Sequence, residues 1–246
     1  MSELVSEIRA LQVDLQRHLN DVWIITQLIR KQIAVEADAL RNSDDEKKKR
    51  SFLVPSAKQK KGIAVSSRLN VDFIELYDYQ HSRGMFETNI ISMVSRTEAF
   101  IQDCLAKVMI AYPDKLSIFT GKEGVPLDLF LQYQDRSEVI RRLVAARCEG
   151  LMYEKPKDYI SKFEKALSFE LNPDIVERFL ELKASRDIII HNGGTINRSY
   201  IEKSGGKKRG KIGDILPIDK DYMSSAMVTL KGFSQDIRDK AKEKYK

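Results

Sequence analysis

Apolar residues recur every three or four positions along most of the chain, which is the periodicity of amphipathic helices. The pattern is longest from Glu3 to Leu40, where neither glycine nor proline interrupts it. It predicts a long N-terminal helix covering residues 1–41. A narrow apolar seam of this length is typical either of an arm used for oligomerisation or packing, or of a single core helix. The sequence leaves both interpretations open.

The helical periodicity stops between residues 42 and 68. This segment contains the basic runs 47–50 and 58–61, with Pro55 between them and Gly62 after them. Such a composition predicts an exposed, mobile basic linker. Its charge is either simply solvated or contacts a nucleic acid. We expect no strand of convincing length here or elsewhere in the chain.

Helical periodicity resumes past Ser67 and continues to the end of the chain. Pro113 ends the first long helix, prolines begin three others, and Asn172 and Gly193 are suited to cap the two ends of one helix. The predicted helices are 85–112, 126–132, 137–153, 156–169, 173–191 and 219–244, with a short turn or helix at 195–203 and a flexible basic loop at 205–213. These elements predict an all-α helical bundle, to which the N-terminal and C-terminal helices are added.

Composition fits a globular protein, because 42% of the 246 residues are hydrophobic. The formal net charge of +6 favours a polyanionic partner without requiring one. Cys104 and Cys148 lie in apolar helical patterns, which predicts small buried side chains in a reducing compartment and no disulfide. No signal pattern and no apolar run long enough for a bilayer is visible, so we expect a cytoplasmic protein without membrane contact.

Several classes of site are not supported by the sequence. The three histidines and two cysteines are scattered and lack the spacing of zinc ligands. There is no glycine-rich phosphate-binding motif and no nucleophile elbow. We therefore expect no metal or other cofactor, and the common nucleotide-binding and hydrolase families do not explain the chain.

One charged residue falls on the apolar face of the predicted helix 173–191. Arg186 lies within a stripe formed by Ile175, Phe179, Leu182, Ile189 and Ile190. A guanidinium in such a position is costly unless it is paired or faces a polar cavity. It either forms a buried ion pair with Glu98 of helix 85–112, or binds a phosphate through two parallel hydrogen bonds. The two are compatible, because Glu98 would orient the guanidinium.

A histidine follows at the end of the same helix. The negative pole of the helix favours a protonated ring at His191. This residue is either a simple capping residue or a general acid or base, with Asp187 as an acceptor for one ring nitrogen. Arg186 and His191 stand about 140° apart around the helix axis, which is awkward for contacting one phosphate. Two copies of the helix would solve this geometry, so we expect a composite site at a homodimer interface.

The segment 186–194 resembles the signature of the HEPN superfamily, which is an arginine, a polar residue, three variable residues and a histidine. Here these are Arg186, Asp187 and His191, followed by Asn192-Gly193-Gly194. The segment 95–103, with Glu98 at its centre and Tyr112-Pro113 after it, is similar to the upstream helix of bacterial HEPN proteins related to toxin and phage-defence nucleases. The resemblance covers residues 72–204, within a HEPN-like domain at 69–246.

This resemblance implies a metal-independent endoribonuclease that works as a dimer and acts as a toxin or phage-defence effector. His191 would be the general acid or base when the ribose 2′-hydroxyl attacks the phosphate, and Arg186 would stabilise charge on the phosphoryl oxygens. The products would carry a 2′,3′-cyclic phosphate and a 5′-hydroxyl. Supporting residues would be Asp187, Asn192 and Glu98. RNA is expected to contact the basic loop and a nearby aromatic ring, through Lys207, Lys208, Arg209, Lys211 and Tyr200.

Two other functions fit the sequence. The chain could be a catalytically inactive HEPN module that binds a nucleotide, RNA or a protein partner. It could also be a helical oligomerisation scaffold, in which residues 1–41 make the contact and Arg186 serves only in an ion pair. For the nuclease, we expect an antitoxin or regulatory protein partner, because an unrestrained ribonuclease in the cytoplasm is lethal.

Overall fold

The computed structural model describes residues 2–43, 45, 47–59, 62–120, 127–133, 135–151 and 154–246. Within these ranges the protein is a helical bundle with one two-stranded sheet, so the predicted all-α class is confirmed. The strands are β1 (Lys49–Pro55) and β2 (Ile63–Leu69). The helices are α1 (Glu3–Arg41), α2 (Asn70–Tyr79), α3 (Met85–Ala111), α4 (Ser117–Thr120), α5 (Leu127–Gln132), α6 (Arg136–Leu151), α7 (Pro156–Leu167), α8 (Pro173–Asn192), α9 (Arg198–Ser204) and α10 (Lys220–Lys244).

Helix α3 lies at the centre of the bundle and contacts α1, α6, α7, α8 and α10. Its inner face is made of fully buried apolar side chains, among them Ile90, Met93, Val94 and Ile101. Behind α3, the ring of Phe179 on α8 stacks on Phe233 of α10, with centroids 4.5 Å apart. Burying one such side chain contributes about 1.5–3 kcal/mol. The relative positions of α3, α8 and α10 are therefore fixed by a dense apolar core.

Helix α1 has two parts with different surroundings. The first half contributes Leu4, Val5, Ile8, Leu15 and Leu19 to the main core. The second half packs against α2 and leaves several large apolar side chains exposed to solvent, namely Ile24, Ile25, Leu28, Ile29 and Val35. Glu3–Arg41 thus form one helix, as predicted for this part of the chain, and its second half is the part with a row of exposed apolar side chains.

Most of the basic linker predicted at 42–68 consists of two strands, so the expectation of no strand here is wrong, whereas β1 is exposed along its whole length, as predicted. Strands β1 and β2 form an antiparallel hairpin, with Lys49 opposite Leu69 and Pro55 opposite Ile63. The hairpin is anchored on one face, where the ring of Phe52 lies 5.2 Å from that of Phe73 in α2. One aromatic contact therefore links the hairpin to α2, although the composition of the segment is dominated by charge.

A single π-helical turn, Gln80–Gly84, joins α2 to α3 without a break in the helical path. Gly84 suits this turn because a Cβ there would lie 2.7 Å from the Tyr79 ring. Within the turn, the Nε of Arg83 donates to Glu87 at 2.7 Å and its Nη1 donates to the carbonyl of Leu216 at 3.1 Å. The π turn is therefore tied to the loop that precedes α10.

Helix α8 begins and ends where its sequence predicts. The side-chain oxygen of Asn172 accepts from the backbone N–H of Asp174 at 3.0 Å, and Gly193 adopts a left-handed φ of 56° after the last turn. Phe179 and Leu182 are buried as predicted, whereas Ile190 is 46% exposed. The expectation of a buried Ile190 is wrong because the last turn of α8 extends past the core.

The structure also bears on two further predictions, the burial of the cysteines and the lack of a membrane-spanning helix. Cys104 and Cys148 are buried free thiols, as their apolar surroundings in the sequence predict. Burial raises the pKa of Cys148 to about 12. Among the described residues, no helix combines the length and the apolar content that crossing a bilayer requires. The predicted helix ends at Pro126 and Tyr153 lie outside the described residues.

Candidate functional site

Glu98 of α3 is a buried carboxylate that binds two cations of α8. Its Oε2 accepts a hydrogen bond from Nη2 of Arg186 at 2.5 Å, and its Oε1 accepts from the Nζ of Lys183. The ion pair between Arg186 and Glu98 is the one that the helical wheel predicts. Sequence reasoning missed Lys183, although its position three residues before Arg186 places both side chains on one face of the helix.

The charged cluster continues from Arg186 towards the surface. The Nε of Arg186 lies 3.4 Å from Oδ1 of Asp187, and Oδ2 of Asp187 accepts from Lys203 of α9 at 3.0 Å. In the described part of the chain Asp187 makes no hydrogen bond with His191, so the expected pairing of these two side chains is not formed. Two cations occupy Asp187 instead. Lys203 is a residue that the sequence gave no reason to select.

His191 is exposed on the last turn of α8 and borders a cavity of about 260 Å³. Asp187, Lys203 and Ser199 also line this cavity. A second cavity of about 620 Å³ adjoins it, because Ser199 and Lys203 line both. Arg186 lines neither cavity, and its side chain is 19% exposed. Neither of these two cavities in the described part of the chain therefore brings Arg186 and His191 together.

The charges around the two cavities are unevenly distributed. The larger cavity has three carboxylates, Asp158, Glu177 and Glu202, and two ammonium groups, Lys155 and Lys203. The smaller cavity has one carboxylate, Asp187, and one ammonium group, Lys203, besides the imidazole of His191. Since like charges repel, an anionic ligand is better accommodated at the His191 end than in the larger cavity.

The turn after His191 is held by several hydrogen bonds. The backbone N–H of Gly194 donates to the carbonyl of Ile188 at 2.9 Å, and the side-chain amide of Asn192 donates to the carbonyl of Thr195 at 2.6 Å. Gly194 has a φ of 76°, and a Cβ at this position would lie 2.7 Å from Nη2 of Arg83. Asn192 therefore shapes the turn, and the turn fixes the end of the helix that carries His191.

A second buried carboxylate, Glu181, explains why Tyr200 does not serve as predicted. Tyr200 is only 1% exposed and donates its hydroxyl to Oε1 of Glu181 at 2.9 Å. Burial, followed by the negative charge of Glu181, raises the pKa of Tyr200. The prediction that Tyr200 stacks on an RNA base is wrong, because its ring is enclosed and its hydroxyl satisfies a buried acceptor.

Arg209 of the basic loop is directed into the same cluster. Its Nε donates to Glu181 at 3.1 Å, its Nη1 donates to the carbonyl of Pro217 at 2.6 Å, and its guanidinium lies 3.4 Å from the centroid of the Tyr222 ring. Ser185 and Tyr222 also donate to Glu181. The predicted RNA contact by Arg209 is wrong in this structure, because its guanidinium pins the loop to α8. Glu181 was missed, although its i,i+4 spacing with Ser185 was a usable signal.

The three lysines of the basic loop differ in their availability. Lys207 forms an ion pair with Asp174 at 2.7 Å. Lys208 and Lys211 are exposed, and neither forms an ion pair with another residue of the described ranges. Two of the four predicted cations in this loop are therefore free to meet a polyanion.

Comparisons with known proteins found no relative of this chain. No family model matches the chain, and neither the curated proteins nor the solved structures contain a match to it. In the ranges that the structure describes, no group of three or more histidine, cysteine, aspartate or glutamate side chains could hold a metal ion.

Proposed function

We propose that this protein is a metal-independent, HEPN-type endoribonuclease that acts as a homodimer, with Arg186 and His191 as its catalytic residues. The observation that carries the proposal is the arrangement of α8. This helix holds a guanidinium against Glu98 and, five residues later, presents an exposed imidazole beside a cavity that contains Lys203. An imidazole and fixed cations are the groups that phosphodiester cleavage by a 2′-hydroxyl needs.

The state of Arg186 fits a role at a phosphate. Nη2 is bound to Glu98 and Nε lies near Asp187, while Nη1 makes no hydrogen bond with a described residue. A guanidinium carries five N–H donors, so donors remain after Glu98 is satisfied. Glu98 would then hold the plane of the guanidinium, and the remaining N–H groups would bind the non-bridging oxygens of the phosphate.

The reaction would need residues from two copies of the chain. The 2′-oxygen loses its proton to a base and attacks phosphorus. The bond from phosphorus to the 5′-oxygen breaks, and an acid gives a proton to the leaving 5′-oxygen. His191 can take the first proton or give the second. Since His191 and Arg186 point about 140° apart around one helix, the phosphate would lie between His191 of one copy and Arg186 of the other.

One observation favours a second candidate, a HEPN module that binds RNA or a nucleotide without cleaving it. Catalytic histidines are usually oriented by a hydrogen bond to the second ring nitrogen. Asp187, the nearest carboxylate in the sequence, is instead occupied by Arg186 and Lys203. The cavity lined by Lys203 and His191 would still bind a phosphate if no carboxylate orients the imidazole.

The test is cleavage of a labelled RNA, with analysis of the new ends. We expect the wild-type protein to produce 2′,3′-cyclic phosphate and 5′-hydroxyl ends, and His191→Ala to lower the rate by about 10²–10⁴-fold. Asp14→Asn is the control, because Asp14 of α1 is exposed, pairs with the exposed Arg17 and lines neither cavity. Circular dichroism shows whether each variant keeps its fold.

Mixing two inactive variants tests the composite site. If His191 and Arg186 act across the dimer, a mixture of His191→Ala and Arg186→Ala chains contains heterodimers with one intact site. About a quarter of the wild-type activity should then return after subunit exchange. RNA binding without cleavage by the wild-type protein would favour the binding module, and no binding at all would leave only a scaffold.

A further inference from the structure

The hairpin has one apolar face that no described element covers. Directly opposite residues in an antiparallel pair project to the same side of the sheet, so the register places Leu53 with Val65 and Pro55 with Ile63. Leu53 is 74% exposed, Val65 66% and Ile63 53%. An isolated two-stranded hairpin is only marginally stable in water. A hairpin with such an exposed apolar face is suited to packing against a binding partner.

The outer edge of β2 is also open. The backbone hydrogen bonds from Asn70 to Lys48 and from Ser56 to Gly62 fix the alternation of the ladder. By that alternation, the N–H and C=O groups of Ile63, Val65 and Ser67 point away from β1. Proline is absent from β2, and no other described strand pairs with it. Edges of this kind are normally covered or blocked, because they accept further strands.

The same hairpin is strongly and uniformly basic. Residues 47–69 include eight lysines and arginines and no acidic residue. Arg50 and Arg68 face each other across the strands, and like charges in that position are destabilising. Within the described ranges, Lys48 pairs with Asp45, whereas Arg50 and Arg68 have no carboxylate within ion-pair distance. An anionic group beside this pair would relieve the repulsion.

We propose that the edge of β2 binds an extended, acidic segment of a partner protein, which adds a third strand to the hairpin. The partner backbone would pair with Ile63, Val65 and Ser67, its apolar side chains would cover the exposed face, and its carboxylates would neutralise Arg68 and Arg50. A second copy of this chain fits poorly, because it would bring another eight cations. RNA would neutralise the charge, but it offers no matching backbone ladder, and aliphatic side chains give its bases nothing to stack on.

The test uses synthetic peptides and the full-length protein. The probe is an N-acetylated, fluorescein-labelled peptide of about ten alternating glutamate and valine residues, and the control is its lysine–valine counterpart. Binding is followed by fluorescence anisotropy. We expect the acidic peptide to bind, its affinity to fall as salt is raised, and Arg68→Glu to weaken it. Equal binding of the lysine–valine peptide would overturn the charge argument.

A proline substitution separates strand addition from simple charge attraction. Val65→Pro removes an outward N–H while leaving the hydrogen bonds to β1 intact, and proline is tolerated on sheet edges. It should weaken peptide binding at least about tenfold, the equivalent of one good hydrogen bond. Val65→Thr keeps the N–H and the strand preference, and should bind as the wild type does.

Amide hydrogen exchange provides a readout that does not depend on any variant folding. In the wild-type protein, the bound acidic peptide should slow exchange at Ile63, Val65 and Ser67, whose N–H groups are free without it. Binding without such protection would overturn the proposal. So would a preference for single-stranded oligouridylate, or for vesicles of phosphatidylserine and phosphatidylcholine in equal parts. None of these outcomes depends on whether the protein cleaves RNA.

Discussion

Replacing Glu98 by glutamine tests the central charged cluster most directly. The change removes one negative charge and keeps the size of the side chain. In the wild-type protein this carboxylate is 7% exposed and neutralises Lys183, which is 11% exposed, and Arg186, which is 19% exposed. The variant leaves both cations next to α3 without their common partner.

The expected loss of stability follows from these contacts. Breaking a buried ion pair by removing one partner costs about 3–5 kcal/mol, because a buried charge is left uncompensated. We expect a value of about 3 kcal/mol, since Arg186 keeps Asp187 at 3.4 Å and Lys183 keeps, among the described residues, the Tyr159 ring, 5.6 Å from its Nζ. For a chain of 246 residues this loss lowers the melting temperature by roughly 6–12 °C.

Urea unfolding followed by far-ultraviolet circular dichroism measures the loss. The control is Glu202→Gln, which removes an exposed ion pair with Arg198 and should cost at most about 1 kcal/mol. A double variant, Glu98→Leu with Lys183→Met, removes both buried charges and should recover at least half of the stability. If Glu98→Gln is no more destabilising than Glu202→Gln, the cluster does not hold α3 to α8 in the way described.

Two further predictions concern the turn after α8 and the alkaline limit of stability. Gly194→Ala should destabilise the protein by at least about 2 kcal/mol, because the positive φ and the contact with Arg83 both oppose a Cβ. Gly193 has a positive φ but open space around it, so Gly193→Ala should cost about 1–2 kcal/mol in the same urea assay. Burial raises the pKa of Tyr245 from 10.0 to about 12, so its contribution to stability is complete below pH 10 and is lost as the pH rises towards 12. Tyr245→Phe should flatten that part of the pH profile of unfolding, and an unchanged slope would show that Tyr245 ionises equally in both states.

The helices could be predicted from the sequence because their signals are local. Asn172, Pro173 and Gly193 mark the ends of α8 within a few residues of the backbone groups that they cap. The pairing of Arg186 with Glu98 could also be predicted, since a guanidinium on an apolar face needs a carboxylate partner and the apolar helix α3 carries one. Each of these predictions depends on a short stretch of chain and a strong physical cost.

The hairpin and the Glu181 cluster could not be predicted in the same way. A hairpin depends on pairing between two segments of the chain. The apolar runs 52–55 and 63–65 are short, and the basic residues at 47–50 and 58–61 dominate the composition around them. Tyr200 and Arg209 look like surface residues in sequence, yet both turn inward to a carboxylate on another helix. Whether a polar side chain meets solvent or a buried partner depends on tertiary packing, which no periodicity encodes.

The π-helical turn at Gln80–Gly84 sets the direction in which the hairpin leaves the bundle. A π turn takes in one residue more than an α turn, and each residue of a helix corresponds to a rotation of about 100°. Deleting a single residue here would rotate α2 and the hairpin by about 100° around the helix axis relative to α3, and would so break the packing of α2 against α1. The additional residue of the π turn therefore keeps α2 against α1 and, through α2, sets where the basic strands lie relative to the bundle.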